Sequence, residues 1–252
     1  MFKFLLIFIF GFFLTINTAQ AESIQAFDTL VSLNTDGSLN ISESILYDYG
    51  VFSRHGIYRY LPLSYRYQDH HYQLSFDKIA VPDYPFSVNA DNDKLSLQIG
   101  DPEQFLTGTH VYNLNYQAQG AVAYYPNHDQ IYLQLTGYGW PVEINSFSAN
   151  FALPRALAAD EITAACYAGA INSTSTCDQL ILTTNEAGLV TGLSIRQAYI
   201  PAGSGLRLFV EIPKDLLESA TNTKLFLTAF ILLIIIITIL WKQTLGKKQT
   251  IA

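Results

Sequence analysis

The stretch Ser38-Leu39-Asn40-Ile41-Ser42-Glu43-Ser44-Ile45-Leu46-Tyr47 decides the fold class. Leu39, Ile41, Ile45 and Tyr47 alternate with Ser38, Asn40, Ser42 and Ser44, the pattern of a half-buried β-strand whose successive side chains point to opposite faces. Asp36-Gly37 before it is a hairpin turn signal, and Phe27, Val31 and Leu33 supply the apolar face of a partner strand. The mature chain is therefore expected to open with a β-hairpin.

Outward from this hairpin the same period recurs. Strands are expected over residues 72–81, 94–99, 110–119, 121–125, 130–136, 144–153, 179–183, 189–195 and 206–212, punctuated by Gly, Pro, Asn and Asp. Many short strands without amphipathic helices between them imply a mainly β fold, an antiparallel β-sandwich rather than an α/β domain. Helix is expected only at the chain ends, with one further turn near residues 213–219. Residues 22–213 are read as one exported domain. Its soft boundary is 154–177, rich in Ala, Ser and Thr, where alternation fades and two lobes of the sandwich could meet.

One residue violates the pattern. Glu43 falls on the apolar face, and a carboxylate taken out of water costs several kcal/mol unless a cation and hydrogen bonds meet it. Arg54 and Arg59 follow within the next sixteen residues. A partly buried Glu43–Arg59 pair is the expected structural solution; the alternative puts Glu43 near an exposed strand end. The two arginines sit in a segment from Tyr47 to Pro62 that gathers Asp48, Arg54, His55 and Arg59 among aromatic residues, with Gly50 and Gly56 as hinges, in a chain only 14% charged. Asp48, Arg54, His55, Tyr58 and Arg59 are the candidate binding residues.

The ends of the chain read as targeting elements. Lys3, the apolar run 4–14 and Ala19-Gln20-Ala21 form an export signal over residues 1–21, with cleavage expected before Glu22. From Leu225 to Trp241 no charge occurs, and Lys224 and Lys242 bracket the run. At about 1.5 Å per residue it covers about 25 Å, and snorkelling lysines complete the span of a bilayer. Residues 214–224 are a juxtamembrane linker, and 242–252 a short tail whose Lys242, Lys247 and Lys248 favour the cytoplasm. The expected topology is single-pass type I, with the lipid bilayer as one partner.

Between the two targeting elements remain nine of the fourteen basic residues and all 21 acidic ones, a balance of −12. This argues against nucleic acid and against adhesion to anionic lipid headgroups. Cys166 and Cys177, both exported, are best read as one disulfide in an oxidising compartment, worth about 2 to 3 kcal/mol for so short a loop.

Catalytic chemistry finds little support. His55 beside Arg54 could be a general base, but a lone loop histidine is more often neither acid nor base. Asp69-His70-His71, His110 and Asn127-His128-Asp129 contain the remaining histidines, and neighbouring histidines on a strand point to opposite faces, so no metal is expected. Gly203-Ser204-Gly205 lacks the spacing of a nucleophile elbow, no carboxylate pair stands out, and no cofactor is expected. Asn40-Ile41-Ser42 and Asn172-Ser173-Thr174 match the glycosylation pattern by chance.

Taken together, Asp36-Gly37-Ser38-Leu39, Glu43, Tyr47-Asp48-Tyr49, the run from Arg54 to Arg59, and Pro62 resemble the N-terminal region of a bacterial family of predicted membrane proteins, domain of unknown function 2207. Ile99-Gly100-Asp101-Pro102, Thr107-Gly108, Tyr112 with Tyr116, His128-Asp129, Gly137, Trp140-Pro141-Val142 and the loop from Cys166 to Cys177 follow in that family's order. The resemblance implies the topology above, in a bacterial inner membrane with the main domain periplasmic or extracellular, and assigns no activity. After His128-Asp129 the family tends to carry Glu and then Tyr-Trp-Asn, where this chain has Gln130 and Tyr132-Leu133-Gln134. Members usually continue into further membrane segments. The expected function is a non-catalytic binding or scaffolding module that docks another membrane or envelope protein. The alternatives are an extracytoplasmic hydrolase using His or carboxylate groups and a receptor-like subunit of a membrane complex.

Overall fold

The computed structural model describes residues 21–67 and 69–218. Nearly all of the expected signal, the apolar run 225–241 and the tail 242–252 lie outside these residues. Among the described residues, no helix is long and apolar enough to cross a membrane.

The chain opens with β1 (Ser23–Leu33) and β2 (Leu39–Asp48), followed by β3 (Ile57–Pro62), β4 (Ser64–Tyr67), β5 (His70–Gln73) and β6 (Ser75–Ala80). Next come β7 (Phe86–Ala90), β8 (Lys94–Ile99), β9 (Thr109–Gln119), β10 (Val122–Tyr124) and β11 (His128–Gln134). The last group is β12 (Phe147–Leu157), β13 (Thr163–Gly169), β14 (Gln179–Thr184), β15 (Val190–Gln197) and β16 (Gly205–Pro213). A 3-10 turn, Ala159–Glu161, separates β12 from β13.

β1 and β2 form the expected hairpin, with Leu33 opposite Leu39. Gly37 takes φ +81°, a conformation glycine adopts at low cost, and Asp36 accepts bonds from the Ser38 amide and hydroxyl at 2.9 and 2.6 Å. The Ser38 bonds hold the Asp36 carboxyl below its usual range. From this hairpin a seven-stranded sheet grows in the order β14-β15-β12-β1-β2-β9-β6. Its pairs are antiparallel except β1 with β12, which run parallel across Phe27–Phe147 and Val31–Phe151.

Three smaller sheets complete the fold: β10-β11-β16-β13, β3-β8-β7 and β4-β5. The buried apolar residues form one cluster to which the three larger sheets all contribute, including Phe27, Ile45, Leu97, Ile99, Leu114, Phe151 and Leu208. The β4-β5 hairpin lays Tyr65 and Tyr67 against Tyr132 of β11, with ring centroids at 5.2 and 4.3 Å. Tyr67 also reaches Phe209 of β16. This explains why β16 is buried on both faces rather than alternating.

Several elements differ from the sequence expectation. The strand expected over 72–81 is divided between β5 and β6, with Leu74 in the gap bonding back to Leu63. Residues 154–177 hold the end of β12 and the whole of β13, whose Thr-Ala-Ala-Cys-Tyr-Ala-Gly composition hides alternation because small residues carry little hydropathy contrast. Strands before and after this segment share the seven-stranded sheet. The disulfide joins Cys166 of β13 to Cys177, and the loop it closes lies along the outer edge of β13 through the Tyr167–Thr176 bridge. Near residue 213 the chain makes a turn, with the Leu216 amide donating to Pro213, and no helix.

Candidate functional site

The segment after β2 is organised by its backbone before its side chains. Asp48 accepts from the Gly50 amide at 2.8 Å, the Tyr49 amide donates to Gly108 at 2.8 Å, and Arg54 and Leu106 exchange two backbone bonds at 3.0 and 2.7 Å. The loop between β2 and β3 is thereby tied to the loop between β8 and β9. Gly56 takes φ +140°, and a Cβ there would stand 1.9 Å from the carbonyl oxygen of Ile99, so no other residue fits this crossing.

β3 turns Ile57, Arg59 and Leu61 inward and Tyr58 and Tyr60 outward. Inward, the Arg59 side chain is 2% exposed and meets a Glu43 side chain with no exposure at all. The pair is bidentate, Nε to Oε2 at 2.8 Å and Nη2 to Oε1 at 2.6 Å. The Tyr116 hydroxyl donates to Glu43 Oε1 at 2.6 Å, and Arg59 Nη1 donates to the carbonyls of Tyr60 and Thr136 at 2.8 and 3.0 Å. Burial works to lower the Arg59 pKa, but the Glu43 carboxylate outweighs it and the guanidinium stays charged. One guanidinium thus joins the seven-stranded sheet, the three-stranded sheet and the loop after β11. Its charge is satisfied internally, and Asp48 is buried as well.

The outward residues make a cleft of about 340 Å³. Tyr47, Tyr49, Tyr58, Tyr60 and Trp140 supply its aromatic walls, with Glu22 and Arg54 at the rim. Arg54 Nη2 lies 2.7 Å from Glu22 Oε1, and the arginine side chain is 51% exposed. Burial, and then the neighbouring Glu22 carboxylate, push the Tyr47 phenol well above its ordinary value. Beside the cleft the Arg54 guanidinium stands 5.4 Å over the Phe52 ring, and the His55 ring packs on Phe105 at 4.1 Å. Val51, Phe52 and Phe105 are 72%, 44% and 65% exposed, an apolar tip built from the two joined loops.

Of the five candidate binding residues, Arg54, His55 and Tyr58 are at this surface, while Asp48 and Arg59 lie beneath it. Glu22, Tyr60, Trp140 and Pro141 line the cleft in addition to these candidates. Tyr60 could have been found as the outward alternate of Arg59, whereas Trp140 arrives from the loop after β11 and carries no local signal. The groups considered for catalysis are engaged separately. Asp129 pairs with Lys214 at 2.5 Å, His128 Nε2 lies 3.6 Å from Glu211, and His55 Nδ1 stands 3.1 Å from the Gln104 carbonyl. Among the described residues no three His, Cys, Asp or Glu side chains gather as a metal site.

Comparison with known proteins bears on kinship more than on chemistry. The chain is 29% identical over 140 residues to the uncharacterized protein YciQ of Escherichia coli K12, a match covering 52% of this chain and 22% of that protein. Solved structures that align with it include an M1 zinc metallopeptidase from Deinococcus radiodurans, at 10% identity and TM-score 0.39 over 75% of this chain and 42% of that one. Another is the leukotriene A4 hydrolase of Saccharomyces cerevisiae, at 10% identity and TM-score 0.39 over 75% and 29%. Likenesses of this size carry no argument about activity. Residues 23–199 match the family described as "Predicted membrane protein (DUF2207) N-terminal domain", and the chain belongs to that family.

Proposed function

We propose that residues 22–213 form a β-sandwich binding module of the bacterial envelope, held at the inner membrane by residues 225–241, which docks another envelope protein through the aromatic cleft and its apolar tip. The observation that carries this reading is the tip. Three large apolar side chains stand in solvent on loops that are otherwise fastened by backbone bonds, and an exposed apolar patch on a rigid support marks an interaction surface. The cleft's charges are paired with each other and no nucleophile with an adjacent base lines it, which favours binding over hydrolysis.

The placement of the chain ends supports a membrane-distal docking surface. The Glu218 amide donates to Thr35 at 2.6 Å, at the turn between β1 and β2, and Leu216 and Leu217 are buried there. The cleft lies at the other end of the same hairpin, where Ser23 pairs with Asp48. At about 3.4 Å per residue the length of β2 separates the two ends by about 30 Å. An anchor that follows Glu218 therefore leaves the cleft facing away from the bilayer. Photo-crosslinking in cells tests the reading: p-benzoylphenylalanine at Phe52 or Phe105 should yield an adduct with a second envelope protein, and the same group at Ser32 should not. Equal adducts from all three positions, or none from the tip, would overturn it.

A further inference from the structure

We infer that the outer edge of β7 is a strand-addition site for an extended segment of a partner protein, apolar at alternate positions and basic at its ends. This surface is separate from the cleft, and the inference does not rest on the docking reading above. The three-stranded sheet ends at β7, and among the described residues β7 pairs only with β8. The register specifies which backbone groups are left over. The Gly100 amide donates to Pro85 at 2.9 Å and the Asp91 amide to Lys94 at 3.0 Å, so these are the hydrogen-bonded pairs that bracket the strand. Such pairs alternate along an antiparallel ladder, so Ser87 and Asn89 bond to β8 while the N–H and C=O groups of Phe86, Val88 and Ala90 point outward.

The side chains of these outward residues share the sheet's buried face. Phe86 extends the row Ile57–Ile99, and Val88 extends the row Arg59–Leu97. Ile57, Ile99, Arg59 and Leu97 are buried, yet Phe86 and Val88 are 38% and 43% exposed, so the apolar face overhangs its edge. An added strand would satisfy three donors and three acceptors and cover both side chains at once.

Neighbouring edges carry the protections that β7 lacks. β6 is broken by a register shift between Asp77 and Ala80 and holds two charges, and the disulfide loop covers β13. β14 carries a register shift at Thr183/Thr184. β7 itself, Phe-Ser-Val-Asn-Ala, has no charge, proline or bulge. Its surroundings set the charge of the guest. Asp83 precedes it and Asp91 and Asp93 follow, three acids against the one cation Lys94, on a domain whose balance is −12. A second copy of this chain in antiparallel self-pairing would bring the Asp83 bend of each strand towards the Asp91–Asp93 turn of the other, at both ends, whereas basic ends on a guest strand meet these acids favourably.

The test uses the full chain in detergent and a fluorescein-labelled peptide, Lys-Thr-Val-Thr-Val-Thr-Lys. The peptide should bind with saturable anisotropy, and the analogue with Asp in place of both Lys should bind at least tenfold more weakly. Val88→Pro removes an outward N–H together with the Val88 side chain and leaves the bonds to β8 in place. It should leave the thermal midpoint near wild type while weakening the basic peptide at least tenfold, whereas Ser87→Pro, which breaks the bond to β8, should lower the midpoint. Absence of binding by the wild-type chain, or undiminished binding by a folded V88P chain, overturns the inference. So does sedimentation showing a dimer that V88P dissolves, since the edge would then belong to a second copy.

Discussion

Arg54 and Arg59 lie five residues apart in the same segment, both opposite a glutamate, and they do different things. Arg59 is 2% exposed, forked onto Glu43 and bonded to the carbonyls of its neighbour Tyr60 and of the distant Thr136. Arg54 is 51% exposed, touches Glu22 through one nitrogen and lies over Phe52. The difference teaches what burial does to one side-chain type. In low dielectric an arginine must have every donor answered and becomes a fixed joint between sheets; in water it keeps its freedom and can be lent to a partner. Strand alternation decides which is which, since Arg59 is an inward residue of β3 and Arg54 precedes the strand.

The largest effect expected is on the buried side of this comparison, under alkali. Burial, followed by the Glu43 carboxylate, raises the Tyr116 phenol well above its ordinary value, and burial pushes Tyr112 up to about 12. A phenol whose folded pKa is raised keeps its proton after the unfolded chain has lost its own. Stability should therefore be full below about pH 10 and fall steadily above it; exposed phenols such as Tyr58 ionise in the folded chain, and the remaining, buried share of the tyrosinate absorbance should appear together with loss of near-ultraviolet circular dichroism. Complete tyrosinate absorbance, with every phenol ionised, before unfolding would show that the core is more open than described.

Glu43→Gln comes next. It leaves the Arg59 charge buried without its counterion, and a loss of about 3 to 5 kcal/mol is expected in denaturant unfolding. An unchanged midpoint would place the pair outside the load of the fold and dissolve the contrast with Arg54. Tyr116→Phe removes one charge-assisted bond to Glu43 while keeping the ring, and should cost about 1.5 to 3 kcal/mol by the same measurement. Arg54→Ala should change stability by less than about 1 kcal/mol, as an exposed ion pair does, and the small effect should vanish in high salt. A loss as large as that of Glu43→Gln would mean that Arg54 also serves the fold, leaving less of it for a partner.

Much of this was legible in the chain because the signals were local. The hairpin around Asp36-Gly37, most of the strands, and the misplacement of Glu43 all follow from period-two alternation within ten residues. β13 escaped because its small residues give alternation no contrast, and β7 escaped because its alternation lasts only five residues, straight after the turn-forming Pro82-Asp83-Tyr84-Pro85. The cleft was only half legible. Tyr58 and Arg54 stand in the segment singled out, but Glu22 belongs to the start of β1 and Trp140 to a distant loop, and neither carries a pattern that points to the other.

By itself, then, the sequence determined that this is a mainly β chain of the DUF2207 family and that Glu43 needed a cation on the apolar side of its strand. Tertiary structure decided the parallel pairing of β1 with β12, the meeting of Arg59 with Thr136, 77 residues away, and the gathering of Glu22, Tyr60 and Trp140 around one cleft. The reason is one of range. Which face a side chain takes is set by the backbone within a few residues, whereas which distant strand covers that face depends on how the whole apolar surface closes, and many closures are consistent with the same alternation.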